Sequence, residues 1–374
     1  MASNTPFIEE RLNRLKNWME QEGVDGFLVS GPENRFYMSG FCGDDVSFTE
    51  SAGRLLITMK DRFLITDSRY SEEAESECPN FEVLLYDKEM SLTIAELLTE
   101  LDIRRVALEK DYVTIAFYDS LKKHLRDKNA RLEVVGYSGV IENMRAVKTE
   151  EEIELIKRSL EITESAMETV FSLLDKGYSE KELAWIVEEK IRTSGAEALA
   201  FSPIVATGPN AAKPHAVPTT RKPRAGETII IDIGAKLDRY CSDMTRTFAI
   251  GKMDIKWREI YRVVRQAQLE AQSFIKPGVR STEVDQVARS VIEKGGYGQY
   301  FGHGLGHGVG LAVHELPGLR KDKPVELRPN MVVTIEPGIY IPGKGGVRLE
   351  NMVRITNDNA ELLNKKGLFI GEDI

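Results

Sequence analysis

The sequence predicts an α+β protein in which an α/β domain over residues 1–142 precedes a second domain over 149–374, itself built from two related ααββ-type halves. Three observations carry this reading. The N-terminal residues alternate between helical and strand periodicities. A capping-box signature, Thr149-Glu-Glu-Glu152, opens a long helix just past a boundary at Glu142–Lys148. A helix–helix–ribbon plan then occurs twice, the second copy following the first by about 100 residues.

In the first domain, Leu12, Leu15, Trp18 and Met19 form a helical stripe along Glu9–Glu22, and Gly26–Ser30 reads as a short strand. Gly53–Thr58 and Arg62–Thr66 read as a hairpin around Lys60-Asp61, with further strands at Phe81–Tyr86 and Arg105–Leu108. Ser91–Leu101 and Thr114–His124 have helical patterns, so helices pack on one sheet.

In the second domain, Ile153, Ile156, Leu160, Met167, Val170, Phe171 and Leu174 share most of one helical face, and Gly177 ends that helix. Ser179-Glu-Lys-Glu182 caps a second helix reaching Thr193, and strands follow from Ile204 to Ala249. The second half repeats the plan: a helix over Lys256–Ile275 stops at Pro277-Gly278, another runs from Thr282 to Lys294, and strands extend to Ile355.

Acids outnumber bases 59 to 50, a net charge of -9, which disfavours nonspecific binding to nucleic acid or anionic membranes. The longest uncharged stretch, Gly295–His314, carries eight glycines and three histidines, unlike any bilayer span. Three scattered cysteines suit a reducing compartment, and Met1–Arg11 lacks the apolar run of a secretory leader. The expectation is a cytoplasmic protein with neither nucleic acid nor membrane as partner.

The chemistry concentrates in the second domain. If Thr228–Leu237 and Asp238–Phe248 form a ribbon turning between Leu237 and Asp238, Asp232 and Asp243 stand directly opposite, with Cβ atoms ~4.5–5.5 Å apart. Two carboxylates so placed repel, and a bound cation resolves the conflict; a different register would put one of them in solvent. The second ribbon repeats the pattern. Glu336 and Glu350 are equidistant from Gly343, inside the Pro342–Gly346 turn, and Glu336 sits in an otherwise apolar strand where an unpaired acid is costly.

The Gly302–Glu315 segment adds His303, His307 and His314, with small residues that let backbone approach a crowded site. It lacks the spacing of a dinucleotide fingerprint and any Gly-Lys-Ser/Thr, which argues against a phosphate loop. Four carboxylates and about one imidazole can hold two divalent ions if some acids bridge. Such an oxygen-rich set favours Mn²⁺ over structural zinc, with Co²⁺ and Zn²⁺ as alternatives, and fits hydrolysis of a carbonyl compound. Cys241, beside Asp243 in an alternating strand, is assigned to packing.

Asp232–Thr247, His303–Glu315 and Glu336–Glu350 resemble the pita-bread metallopeptidase family, which includes aminopeptidase P, prolidase and methionine aminopeptidase. The first domain, including Asn34-Arg-Phe-Tyr-Met-Ser-Gly-Phe41, resembles the creatinase-like domain of aminopeptidase P and prolidase, which methionine aminopeptidases generally lack. The resemblance implies that Asp232 chelates one metal, that His307 and Glu336 bind the other, and that Asp243 and Glu350 bridge both. It further implies Glu336 as proton shuttle for a metal-bridging hydroxide and His215 and His314 as catalytic and substrate-binding histidines. His303 and Arg348 join them at the substrate site. Asn351 stands where family members commonly have Asp, and Arg320 is the first basic residue after His314.

The implied reaction is hydrolysis of the Xaa-Pro bond in short peptides with proline second, by a homodimer. Two rival readings share the fold: a metal-free creatinase-like hydrolase or lyase, and a non-catalytic peptide-binding module. The retained acidic ligands speak against both.

Overall fold

The computed structural model describes residues 5–45, 47 and 49–369, and the chain divides into two compact units, Met1–Met144 and Arg145–Ile374. The outer limits expected for the two domains, residues 1 and 374, lie outside the described residues.

The first unit is built on six strands: β1 (Gly26–Val29), β2 (Arg54–Thr58), β3 (Arg62–Thr66), β4 (Glu82–Leu85), β5 (Arg105–Glu109) and β6 (Glu133–Tyr137). They lie in the order β4-β3-β2-β1-β5-β6, with the central β1–β2–β3 pairs antiparallel and the outer pairs parallel. Its helices are α1 (Thr5–Glu22), α2 (Pro32–Ser39), α3 (Ser71–Glu77), α4 (Met90–Glu100) and α5 (Ile115–Asp127), with α6 (Val140–Arg145) at the junction. Leu28, Leu56, Ile65, Val106 and Leu108 pack against Ile94, Leu98, Leu121 and Leu125 of α4 and α5. The alternate strand residues Phe27, Leu55, Ile57 and Leu64 are buried as well, so both sheet faces are covered. The α1 stripe of Leu12, Leu15 and Met19 is fully buried. The sequence reading did not resolve α2, α3, α6 and β6, all short or weakly amphipathic.

In the second unit, α7 (Glu150–Phe171) and α8 (Glu180–Thr193) start at complete capping boxes, Thr149 with Glu152 and Ser179 with Glu182. Strands β7 (Ala198–Leu199), β8 (Ile204–Thr207), β9 (Thr228–Ile233), β10 (Ala235–Leu237), β11 (Tyr240–Cys241) and β12 (Met244–Ala249) follow. The second half opens with α9 (Ile255–Phe274) and α10 (Ser281–Lys294). It continues with β13 (Gly306–Gly308), β14 (Glu315–Leu319), β15 (Val332–Ile335), β16 (Gly338–Ile341), β17 (Gly345–Arg348), β18 (Asn351–Ile355) and β19 (Ala360–Leu362). Gly177 and Gly278, at equivalent points of the halves, both have left-handed φ, 78° and 82°. Ile260, Val264 and Ala271 of α9 and Val284, Ala288 and Ile292 of α10 share a core with Val333, Ile335, Val353 and Ile355 of the sheet.

The two expected ribbons are each broken and widened. β9 gives way to β10 at Gly234, where an added Cβ would lie 2.1 Å from the Ser242 carbonyl oxygen. β8 flanks β9, while β13, β14 and β19 extend the β15–β18 pair into a five-stranded sheet.

The register of the first ribbon corrects the sequence reading: Asp232 stands opposite Thr245, not Asp243. The hairpin closes at Leu237↔Tyr240 around Asp238 and Arg239, both with left-handed φ of 47° and 73°. The turn is therefore centred one residue further on than expected, and the pairing shifts by two. An even shift preserves the face, so Asp243 remains a diagonal neighbour of Asp232 on the same side. The second ribbon keeps the expected register, with Ile335↔Asn351 and Gly338↔Arg348 on either side of Glu336 and Glu350.

Candidate metal centre

Three of the four acids sit where the ladders break. Asp243 lies between β11 and β12, Glu336 between β15 and β16, and Glu350 between β17 and β18, whereas Asp232 is near the end of β9. Two of them find backbone partners outside their own ribbon: Glu350 N donates to Thr245 O of the other half, and Glu336 N to Leu305 O within its own half. The broken ladders free these side chains to converge.

Ligand atoms of Asp243, His307 and Glu350 all lie within 4.8 Å of one another. His307 Nε2 is 3.2 Å from Glu336 Oε1 and 3.7 Å from Asp243 Oδ2, and Nδ1, facing Gly308 O at 3.2 Å, fixes the ring. Asp232 Oδ2 accepts from Arg348 Nη2 at 2.5 Å, and Glu350 Oε2 accepts from Thr245 Oγ1 at 2.8 Å. The remaining oxygens, Asp232 Oδ1, Asp243 Oδ1 and Glu350 Oε1, are buried without a hydrogen-bond partner. Buried orphan carboxylate oxygens are costly unless a cation meets them, so this donor set fits divalent ions.

The electrostatics agree. Burial, then the charges of Glu350, Asp232 and Glu336, raise Asp243 well above the carboxylate range. Burial, followed by Glu336 and Asp232, raises Glu350 to about 8. For Glu336, burial pushes upward but the hydrogen bond and charge of His307 prevail, leaving it at about 2. His307 is the counterpart: burial lowers it, and Glu336 outweighs that to bring it to about 9.

The other sequence candidates surround this cluster. The ring of His314 meets that of His307 edge-on, centroids 4.2 Å apart, and burial followed by the His307 charge lowers its pKa. His303 uses both nitrogens within the protein: Nδ1 donates to Gly304 O at 2.7 Å, and Nε2 accepts from the Tyr340 hydroxyl at 3.0 Å. Burial holds its imidazole low. Arg348 reaches Asp232, Thr245, Tyr340 and the Pro214 carbonyl, the last bringing the loop that carries His215 against the centre. Cys241 is buried, its thiol facing Leu311 O, as packing requires. Arg320 pairs with Asp322, with its backbone beside Gly304.

Sequence reasoning missed Thr245 and Tyr340. Thr245 carried one signal, an alternating place in β12 two residues from Asp243; Tyr340 looks like any strand aromatic until its hydroxyl is seen between Arg348 and His303.

This geometry defines a carboxylate-rich metallohydrolase centre held between two related halves. Residues 154–357 match the metallopeptidase family M24 and residues 11–147 the creatinase/prolidase N-terminal domain. The chain belongs to metallopeptidase family M24, with the pita-bread catalytic fold behind a creatinase-type domain. It is 35% identical to a Xaa-Pro dipeptidase of Pyrococcus furiosus over 96% of this chain and 98% of that protein. The solved Xaa-Pro dipeptidase from Bacillus anthracis superposes with a TM-score of 0.90 at 36% identity, covering 96% of this chain and 98% of that one. An X-Pro aminopeptidase from Thermotoga maritima gives 0.84 at 36% identity, covering 96% and 98%.

Proposed function

We propose that this protein is a di-metal Xaa-Pro peptidase, hydrolysing the bond before proline in short peptides. The observation that carries the reading is the convergence on His307 of Asp243 and Glu350, each with a buried carboxylate oxygen that has no hydrogen-bond partner. Asp232, Asp243, His307, Glu336 and Glu350 would hold two divalent ions. Bound there, such ions supply Lewis acidity toward water and the scissile carbonyl. The oxygen-dominated donors favour Mn²⁺.

The chain's own residues do the rest. Glu336, beside His307, would carry a proton from the attacking water to the proline nitrogen, which has no N–H before cleavage. His314, held neutral by burial, donates a hydrogen bond where negative charge develops on the carbonyl oxygen. His215 contacts the substrate from the neighbouring loop, Arg348 fixes Asp232 and that loop together, and we assign His303 a supporting role through Tyr340. The reading includes the homodimer that the family resemblance implies. Cytoplasmic residence is part of the reading, in keeping with three cysteines scattered through the sequence. No described helix is long and apolar enough to cross a membrane.

The test is release of the first residue from Ala-Pro and Ala-Pro-Ala by protein reconstituted with Mn²⁺. The expected outcome is metal-dependent cleavage that either Glu336→Gln or a chelator abolishes. No cleavage of either peptide would sink the proposal, and the ratio of the two rates assigns dipeptide or longer substrates.

A further inference from the structure

Glu180, the first residue of α8, is fully buried although Lys181 and Glu182 beside it are exposed. Its carboxylate collects five hydrogen bonds. Oε1 accepts from Thr207 N at 2.7 Å and Thr207 Oγ1 at 2.8 Å. Oε2 accepts from Asn210 Nδ2 at 2.9 Å, Thr219 N at 2.8 Å and Thr219 Oγ1 at 2.6 Å. All five donors are neutral; the nearby guanidinium of Arg221 gives its Nη1 to Thr207 Oγ1 instead. A buried carboxylate is tolerable only when so fully bonded, and these bonds make it a fixed post.

The segment gathered around that post carries His215. Thr207 and Asn210 precede it and Thr219 follows it, so one side chain ties both ends of the loop. Asn210 Nδ2 also donates to Val217 O at 3.2 Å, and the start of α8 adds backbone bonds from Glu180 N to Arg221 O and Lys181 N to Thr219 O. On its other side the loop is held by Arg348 through Pro214 O at 3.1 Å, and Gly346 of β17 is so close that an added Cβ would lie 2.2 Å from Ala211 O. His215 is thus suspended between two anchors, one at the metal centre and one at α8.

We propose that Glu180 is a positioning residue for the reaction: without touching substrate, it sets the His215 loop against the centre. The inference rests on the role given to His215 above. An amide cannot replace the carboxylate. Glu180→Gln keeps the size but turns an NH₂ toward donors at one of the two positions, so a backbone N–H of Thr207 or Thr219 faces another N–H.

The experiment is a double-mutant cycle of Glu180→Gln and His215→Ala on the Mn²⁺-loaded enzyme, read as kcat/KM for Ala-Pro-Ala. Imidazole NMR signals of the metal-free protein, which has five histidines, are followed in parallel. We expect Glu180→Gln to lose up to about 100-fold, the scale of small misplacements. The double variant should be no worse than His215→Ala, and Glu180→Gln should move the signal that His215→Ala deletes. Additive losses on a damaged His215→Ala, or an unmoved His215 signal, would overturn the role of Glu180 alone. Normal hydrolysis by His215→Ala would overturn the role of His215 and this one with it. Should Glu180→Gln fail to fold, Thr219→Val, which removes one of the five donors, is read by the same criteria.

Discussion

Arg348 places Nη2 2.5 Å from Asp232 Oδ2, and both residues are buried. Its other nitrogens are committed too: Nε to Thr245 Oγ1 at 3.0 Å, and Nη1 to the Tyr340 hydroxyl at 2.8 Å. One oxygen of Asp232 is therefore neutralised and aimed by the fork, which leaves the buried Oδ1 for the proposed cation. Lysine keeps the charge but cannot reproduce the fork. Arg348→Lys is expected to weaken divalent-metal binding or activity by roughly 10–100-fold, the usual cost of losing a group that orients a ligand. Competition with a chelator measures it; unchanged affinity and activity would contradict this account of Asp232.

Metal uptake should depend on pH with a definite sign. Asp243 and Glu350 have raised pKa values, Glu350 at about 8, so the metal-free fold keeps protons that the unfolded chain has already released. Their ionisation costs stability progressively as pH rises through that range. His307, raised from 6.5 to about 9, acts in the same direction: its stabilising contribution is full below the ordinary value and is lost as pH rises through 9. Cations displace all these protons, so affinity climbs over the same window. The gap in Tm between Mn²⁺-loaded and metal-free protein should widen from about pH 6 to about pH 9. A gap that stays constant would count against the assigned ligands.

What the sequence disclosed, and what it concealed, follows from the range of the interactions. Capping boxes, amphipathic stripes and the Gly343-centred register are local patterns, and the structure reproduces them. The first ribbon misled because Asp238-Arg239 lacks the Asn-Gly or Asp-Gly signal of a two-residue turn, though both residues adopt left-handed φ. The shift by two preserves face parity, which keeps Asp232 and Asp243 on one side of the ribbon. Ladder breaks at Gly234 and Glu336 depend on contacts with backbone elsewhere, the Ser242 carbonyl packed on Gly234 and the Leu305 carbonyl that accepts from Glu336 N, that no local window shows. The Ser179-to-Glu182 spacing marks Glu182 as a cap in the sequence, whereas only the fold makes its neighbour Glu180 a buried post.

In the first unit, Glu109 closes the start of α2 by accepting from Ser30 N at 2.6 Å, Gly31 N at 2.8 Å and Asn34 Nδ2 at 2.7 Å. Burial outweighs these donors, the Glu142 charge adds to it, and the pKa reaches about 7. With the folded value raised, its contribution to stability is intact below the ordinary value of 4.5 and is lost as pH rises through about 7. The loss is on the order of 3 kcal/mol. Urea midpoints of wild type and Glu109→Gln across this range should show a steeper decline for wild type. Parallel curves would show that Glu109 does not titrate in the folded unit.

Glu315, directly after His314, lies between two buried cations, with Oε2 2.6 Å from Arg145 Nη2 and Oε1 2.8 Å from Lys148 Nζ. Burial raises its pKa, but Lys148 and Arg145 together prevail and hold it below the ordinary carboxylate value. The acid cannot be removed alone without stranding two positive charges, a loss of roughly 3–5 kcal/mol for a buried pair. Because Gly308 pairs with Glu315 across β13 and β14, the same clamp fixes the strand bearing His307 against the residue that follows His314. Glu315→Gln should therefore lower Tm by about 10 °C, given ~2–4 °C per kcal/mol for a unit of this size. It should also reduce kcat of the surviving folded enzyme. Lys148→Met, which leaves one cation matched to one acid, should cost much less. Equal losses in the two variants would show that the charge balance does not govern this clamp.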